Sequence, residues 1–359
     1  MPNSVLEINM SAIKDNIKQI KGYIGSQVTL MPIIKANGYG TYVNYHTQFL
    51  KQFKLIGVSS LTEALTLRTN GYQKDILILF PLMASELAVA ISNNFIINSS
   101  NFIAIKPKLK PQQEVRTHLE IETGMGRCGL AITEIDEYIN YLKNNQQIKL
   151  EGIYTHLAMA KNQVYSRAQL NKFTRALIKF KNEQIKYQYQ HVVCSGGLAN
   201  YPDYLFNMVR IGLLLYGYYP NDSVKKILQL KPAIQLKTKI IFLNTINKGE
   251  SVGYNRNFVA QRKTKVATIP FGFADGLASL ETGRAYVIIN RQKAKVIAIC
   301  MDTMMLDVTH VKDVKLGTEV YLWDNDQLTI EQVASWLGGL CTYELLTSIT
   351  SRVERKFIA

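Results

Sequence analysis

Cysteine is scarce and dispersed. Cys128, Cys194, Cys300 and Cys341 stand far apart and form no C-x-x-C pair, which argues against a zinc ribbon or other metal site and against a disulfide framework, and for reduced thiols. No apolar run approaches the roughly 18 residues of a transmembrane helix, and the opening Met1-Pro-Asn-Ser-Val-Leu-Glu-Ile8 lacks the basic-then-apolar layout of a signal peptide. These absences lead to the expectation of a soluble, cytoplasmic protein. Acidic residues are also few, 27 against 42 basic ones, for a formal charge of +15. The excess is scattered, with no arm, RGG tract or aromatic-interleaved stripe, so nucleic acid is not the expected partner. A basic surface suits steering of an anionic small molecule such as a phosphorylated cofactor. No fixed-period repeat and no low-complexity tract is present, so the chain is not a solenoid or a disordered linker.

What is present is a globular chain of 359 residues, 47% hydrophobic, too long for one ordinary core and expected to form two domains. Over residues 1–227, strand-like apolar runs alternate with helical patterns. The runs are Val28–Ile34, Lys54–Val58, Asp75–Phe80, Phe95–Asn98, Arg116–Ile121, Ile148–Thr155, His191–Cys194 and Met208–Ile211. Amphipathic stretches such as Ser60–Asn70, Ala84–Asn94, Thr133–Lys143 and Tyr165–Lys186 lie between them. Eight strands with intervening helices predict an N-terminal (β/α)8 TIM-type barrel in an α/β chain. Within Ser99–Gln113, Pro107 and Pro111 leave room for only a short helix or a loop. From Leu228 to Ala359 the texture changes to short β-rich runs (Ile234–Thr245, Lys265–Ile269, Tyr286–Ile289, Lys293–Ala298, Met305–Val308, Glu319–Leu322) separated by turn signals. A C-terminal, mostly antiparallel β domain is expected there.

Active residues of such barrels lie at the C-terminal ends of strands, and the polar residues there form a coherent set. Lys35 and Tyr39 follow the first strand, Arg127 the fifth, His156 the sixth, Ser195 the seventh and Arg210-Ile-Gly212 the eighth. A lysine closing a buried strand is pushed toward its neutral, nucleophilic form by desolvation; the bland alternative is a rim lysine snorkelling into water. Hydroxyls and turn N–H groups can hold a phosphate. One segment favours a rival. Gly124-Met-Gly126-Arg-Cys-Gly129 matches G-x-G-x-x-G, with Glu151 further on, as in a nicotinamide or flavin oxidoreductase. Against it, the strand His118-Leu-Glu-Ile-Glu122 carries acidic residues where a central strand of that fold should be apolar.

Eight segments, in order, resemble the signature segments of bacterial alanine racemases. They are Ile33-Ile-Lys35-Ala-Asn-Gly-Tyr39-Gly40, Glu122-Thr-Gly-Met-Gly-Arg127-Cys-Gly129, Thr155-His156, Arg210-Ile-Gly-Leu-Leu-Leu-Tyr216-Gly217, Val252-Gly-Tyr254-Asn-Arg256, Gly272-Phe-Ala-Asp275-Gly276, Cys300-Met301-Asp302 and Tyr343-Glu344. The resemblance spans nearly the whole chain. It implies a pyridoxal 5'-phosphate barrel with a C-terminal β domain, and a head-to-tail homodimer whose active sites combine residues of both subunits. It further implies interconversion of L-alanine and D-alanine, with D-alanine supplied to peptidoglycan.

Carried onto this sequence, the resemblance makes Lys35 the lysine bound covalently to the cofactor and the acid/base on one face of the substrate Cα. Tyr254 of the partner subunit would serve the other face, as racemisation requires two opposed acid/base groups, one taking the proton from Cα and the other returning one. Arg210 would meet the pyridine nitrogen, with His156 beside it. Arg127 would contact the phenolic oxygen and the substrate carboxylate. Tyr39, Ser195, the Gly212 and Leu213 backbone and Tyr343 would hold the phosphate, and Met301 of the partner subunit would orient the substrate carboxylate through its N–H. Many relatives carry a carbamylated lysine seven residues before the arginine; here that position is Glu120, and a Glu120–Arg127 pair is expected in its place. Thr41 and Tyr42 replace a usual histidine and glycine, and Ile211 a usual proline. Serine or broader specificity is an alternative within the family, because one methylene or hydroxyl discriminates weakly. A pyridoxal phosphate carrier or regulatory protein is another, which would need no second base.

Overall fold

The computed structural model of the chain describes residues 4–105 and 113–359, and they divide into two compact units. One holds residues 15–38 and 42–230; the other holds the residues up to Lys14, Tyr39–Thr41 and Lys231–Ala359. After a first strand, β1 (Val5–Asn9), eight strands follow: β2 (Thr29–Pro32), β3 (Leu55–Val58), β4 (Asp75–Ile78), β5 (Ile96–Asn98), β6 (Val115–Glu120), β7 (Ile148–Tyr154), β8 (Tyr189–His191) and β9 (Met208–Ile211). From β3 to β8 they pair in parallel and in chain order, and β2 pairs in parallel with β9. Bridges from Ile33 to Gly57 and from Cys194 to Arg210 close the ring. The result is the expected eight-stranded parallel barrel.

Its strands are buried on both faces, so they read as nearly continuous apolar runs. Met31, Ile33, Leu55, Leu77, Ile96 and Met208 form one cluster of its core. Helices occupy Leu61–Thr69, Leu87–Ser92, Ile135–Asn144 and Gln163–Asn182, inside or close to the four amphipathic stretches. The first and last start at Ser60 and Asn162, whose side chains accept the N–H of Glu63 and of Tyr165 and so satisfy donors that the helix cannot. In Ser99–Gln113 a helix covers Phe102–Ile105; residues 106–112, with Pro107 and Pro111, lie outside the described residues. The expected strand His191–Cys194 pairs earlier, as Tyr189–His191, and Cys194 makes only the bridge to Arg210.

The second unit carries β10 (Ile234–Lys239), β11 (Phe242–Ile246), β12 (Ser251–Val252), β13 (Phe258–Val259), β14 (Thr264–Ile269), β15 (Tyr286–Ile289), β16 (Gln292–Ile299), β17 (Met304–Asp307), β18 (Glu319–Trp323) and β19 (Glu354–Ile358). A nine-stranded sheet runs β11-β14-β17-β16-β15-β18-β10-β1-β19, antiparallel except where β1 meets β19. The run Ile234–Thr245, expected as one strand, is two. At Ile240 and Ile241 the N–H groups turn to Thr318 and Thr268, and the chain switches from β18 to β14 as its partner. β1 lies outside the barrel to which a boundary at 227 assigned it. Leu6 and Ile8 are buried on it, and their partners, β10 and β19, are hundreds of residues away in sequence. Among the described residues no helix is long and apolar enough to cross a membrane.

Candidate active site

Lys35 ends β2's extension, and the chain behind it is wound the wrong way for L-residues. Ala36, Asn37 and Gly38 have φ of 52°, 52° and 64°, and Tyr39 and Gly40 continue at 59° and 76°. Each non-glycine residue there costs about 1–2 kcal/mol, so the turn needs holding from outside. In the barrel unit Glu63 does this. Its carboxylate accepts the Ala36 N–H at 2.6 Å and the N–H and hydroxyl of Ser59 at 2.8 Å each. Sequence reasoning missed Glu63, although Ser60-Leu-Thr-Glu63 has the spacing of a helix capping pattern. Tyr42 has a φ of 61°, also in the left-handed region. Burial, and then the charge of Arg127, hold the Lys35 amine below the ordinary lysine pKa; Glu63 acts the other way.

Arg127 leaves the loop after β6 and donates to Glu120 at 2.9 Å. The expected pair is therefore present, with Glu120 almost fully buried. Asn98 and Cys128 also donate to Glu120, at 3.5 and 3.3 Å, and the Phe80 ring lies 4.9 Å from the guanidinium. The G-x-G-x-x-G loop has another use. Glu122 accepts the N–H groups of Gly124, Gly126 and Arg127 at 2.5, 2.8 and 3.2 Å, so these donors are turned to a carboxylate of the loop and cannot cradle a pyrophosphate. Burial alone would raise the Glu122 pKa; those N–H groups outweigh it and bring it below the carboxylate range. Glu151 pairs with Arg116 at 2.6 Å, away from any ribose role. The oxidoreductase reading loses both its supports.

Arg210 on β9 is the most enclosed lysine or arginine among the described residues. One terminal nitrogen donates to the His191 carbonyl at 2.8 Å and meets His191 Nδ1 at 2.7 Å. The other donates to the Thr155 and Val192 carbonyls at 2.7 and 2.9 Å and meets His156 Nδ1 at 3.3 Å. Nε–H alone has no recorded acceptor among the described residues. Burial, then the charges of Arg210, Arg127 and Lys35, push the His156 pKa down to about 3; the four residues lie at or beyond the C-terminal ends of parallel barrel strands. Ser195, also buried, accepts the Gly212 N–H at 3.1 Å and keeps its hydroxyl hydrogen for another partner. Gly212 precedes the short 3-10 turn Leu213–Tyr216.

The remaining expected residues lie in the second unit. Tyr39 and Tyr343 are neighbours there, with ring centroids 5.9 Å apart. Gly40 permits it: a Cβ at that position would stand 2.2 Å from the Leu346 carbonyl oxygen, and Arg355 donates to the Gly40 carbonyl at 3.0 Å. Tyr254 is 67% exposed, followed by Asn255 and Arg256 with φ of 54°. Met301 is 54% exposed on a turn clasped to Gly272–Ala274. The N–H groups of Phe273 and Ala274 reach the Cys300 and Met301 carbonyls at 3.0 Å each, and a Cβ on Gly272 would lie 2.2 Å from the Met301 oxygen. Arg352 bridges Asp275 and Asp302 behind this clasp.

An amine, two guanidiniums and a serine hydroxyl at one end of a parallel barrel make a site suited to an anionic small molecule. The family model for the alanine racemase N-terminal domain matches residues 8–220, and that for the alanine racemase C-terminal domain matches residues 233–357. Alanine racemase of Desulforamulus reducens is 33% identical over 98% of each chain, and that of Clostridium novyi 32% identical over 98% of this chain and 94% of its own. A solved alanine racemase of Clostridium difficile superposes with a TM-score of 0.93 at 30% identity, covering 100% of this chain and 96% of that one. One from Bacillus anthracis with bound L-Ala-P gives 0.91 at 28%, with the same coverage. This chain belongs to the alanine racemase family.

Proposed function

We propose that this protein is a pyridoxal phosphate-dependent alanine racemase acting as a homodimer with shared active sites and supplying D-alanine for peptidoglycan. The observation that carries the reading is the grouping of Lys35, Arg127, His156 and Arg210 around one barrel end. The donor set fits the cofactor. Lys35 is an amine biased toward its neutral form, Ser195 keeps a hydroxyl hydrogen, and Arg210 keeps one N–H for a ring nitrogen.

Pyridoxal phosphate bound here would supply the electron withdrawal that acidifies an amino acid's Cα–H. Lys35 holds the cofactor and moves a proton at Cα on one face; Tyr254 of the partner subunit moves one on the opposite face, so that the proton lost from one side is replaced from the other. Arg210 cannot accept a proton, so it would hold the pyridine nitrogen as a donor without protonating it. Arg127, steadied by Glu120, receives the substrate carboxylate, and the Met301 N–H of the partner subunit assists. Tyr39, Tyr343, Ser195 and the Gly212 and Leu213 backbone hold the phosphate, with His156 tuning Arg210. Purified protein incubated with L-alanine and with L-serine in D2O tests this. Loss of optical activity with deuterium entering Cα of alanine is expected, and no exchange with either amino acid would refute it.

A further inference from the structure

Behind Arg210 the barrel wall holds two histidines that the proposed mechanism leaves unused. His118 on β6 and His191 on β8 are both fully buried. His118 Nδ1 lies 2.9 Å from His191 Nε2, and His191 Nδ1 lies 2.7 Å from the Arg210 guanidinium. The Tyr154 ring stacks on His191 at 4.7 Å with 9° between planes, and Arg210 lies over the same ring at 5.2 Å.

Proton inventory orients this chain in one direction. A guanidinium has donors only, so His191 Nδ1 must present its lone pair. The His191 proton then sits on Nε2 and is donated to His118 Nδ1. His118 in turn carries its proton on Nε2, an atom that is buried with no partner. Reversing the chain would set two donors face to face at Arg210, and protonating His191 would do the same.

Among the described residues no carboxylate hydrogen-bonds to Arg210. Its four terminal N–H groups are met by three carbonyls and the His191 lone pair, with His156 Nδ1 a longer contact at 3.3 Å, which orient the guanidinium without cancelling its charge. A carboxylate at the His191 position would neutralise it. The buried, unpartnered His118 Nε2–H costs stability, and it follows from the tautomer that the relay requires. Arg116 and Asp75 act on His118 from β6 and β4, Tyr189 lies against it from β8, and Arg210 acts on both rings. The cations among them oppose a charged imidazole.

We propose that His191, backed by His118, is a positioning residue for Arg210: the pair is held in one neutral tautomer that aims the guanidinium while leaving its full charge for the group facing Nε–H. The part concerning that group rests on the pyridoxal phosphate reading; the tautomer does not.

Histidine ring 15N correlation spectra of the holoenzyme, assigned with His118→Asn and His191→Asn, test the tautomer directly. Neutral rings protonated on Nε2 at both positions from pH 5 to pH 9 are expected. An Nδ1-protonated or charged ring at either position at neutral pH would overturn the proposal. Kinetics test the positioning. His191→Phe keeps the stack on Tyr154 and removes the acceptor, whereas His191→Asn returns an oxygen near the place of Nδ1. The Phe variant should lose on the order of 10- to 100-fold in kcat, the range for partners that orient a buried functional group. KM for alanine should change little, since Arg127 binds the carboxylate, and the Asn variant should recover most of the loss. Equal loss in both variants, or wild-type kcat in the Phe variant, contradicts the proposal. Should the Phe variant not fold, the spectra decide. Wild-type protein without racemase activity but with the expected spectra would refute the functional reading and leave the tautomer standing.

Discussion

The barrel end and the second unit hold their candidate residues in opposite ways. In the barrel, Glu120 and Arg210 are nearly inaccessible and tied by several hydrogen bonds each, and the Lys35 turn is held through Glu63. In the second unit, Tyr254 and Met301 are largely exposed, and what is fixed there is the backbone beneath them. Buried polar groups must be satisfied within the fold, so a site of that kind is complete before any ligand arrives. Exposed side chains on rigid turns are presented outward, as residues used by another molecule are. The contrast fits the proposal that Tyr254 serves a partner subunit.

The largest effect should come from the buried half. Lys35→Ala should lower racemisation by at least about 10³-fold, as loss of an acid/base group does, with an unchanged circular dichroism spectrum; retention of activity would break the comparison at once. Tyr254→Phe should cost about 100-fold and leave cofactor affinity, read by fluorescence titration, as in wild type. Glu120→Ala frees Arg127 from its ion pair and should raise KM for alanine about tenfold, the lower end for a lost charged hydrogen bond, with a smaller change in kcat.

Stability sharpens the same contrast. Burial and nearby cations lower the pKa of His118 and His156 from 6.5 to about 3, and that of His191 in the same direction. The unfolded chain binds protons as pH drops below 6.5 while the folded chain does not, so stability is full above 6.5 and is lost as pH falls toward about 3. Each such histidine contributes a slope of about 1.4 kcal/mol per pH unit in that window. Denaturant midpoints between pH 4 and pH 7.5 should show it, and His118→Phe should flatten the slope by about one proton. Met301→Ala, on the exposed side, should change stability by no more than about 0.5 kcal/mol.

The barrel was legible because strands buried on both faces leave uninterrupted apolar runs, and because Lys35, His156 and Arg210 stand close after or within them and Arg127 in the loop that follows β6. Glu120 was legible only as a departure from a familiar pattern. The place of β1 was not, since five residues with two buried apolar side chains fit several sheets equally well. His118 and His191 were missed for a related reason. They lie 73 positions apart, and only the parallel order that sets β6 and β8 on either side of β7 brings their rings together. Glu63 carried a capping signal, but its grip on the Lys35 turn depends on β2 and β3 being neighbours.

The central claim, that one base comes from the barrel and the other from a second copy, is tested most directly by co-expressing Lys35→Ala and Tyr254→Phe chains, each inactive or nearly so alone. A mixed dimer would contain one site with both native residues, so random assembly should restore about a quarter of wild-type activity. No recovery, in dimers shown by mass spectrometry to be mixed, would contradict the account.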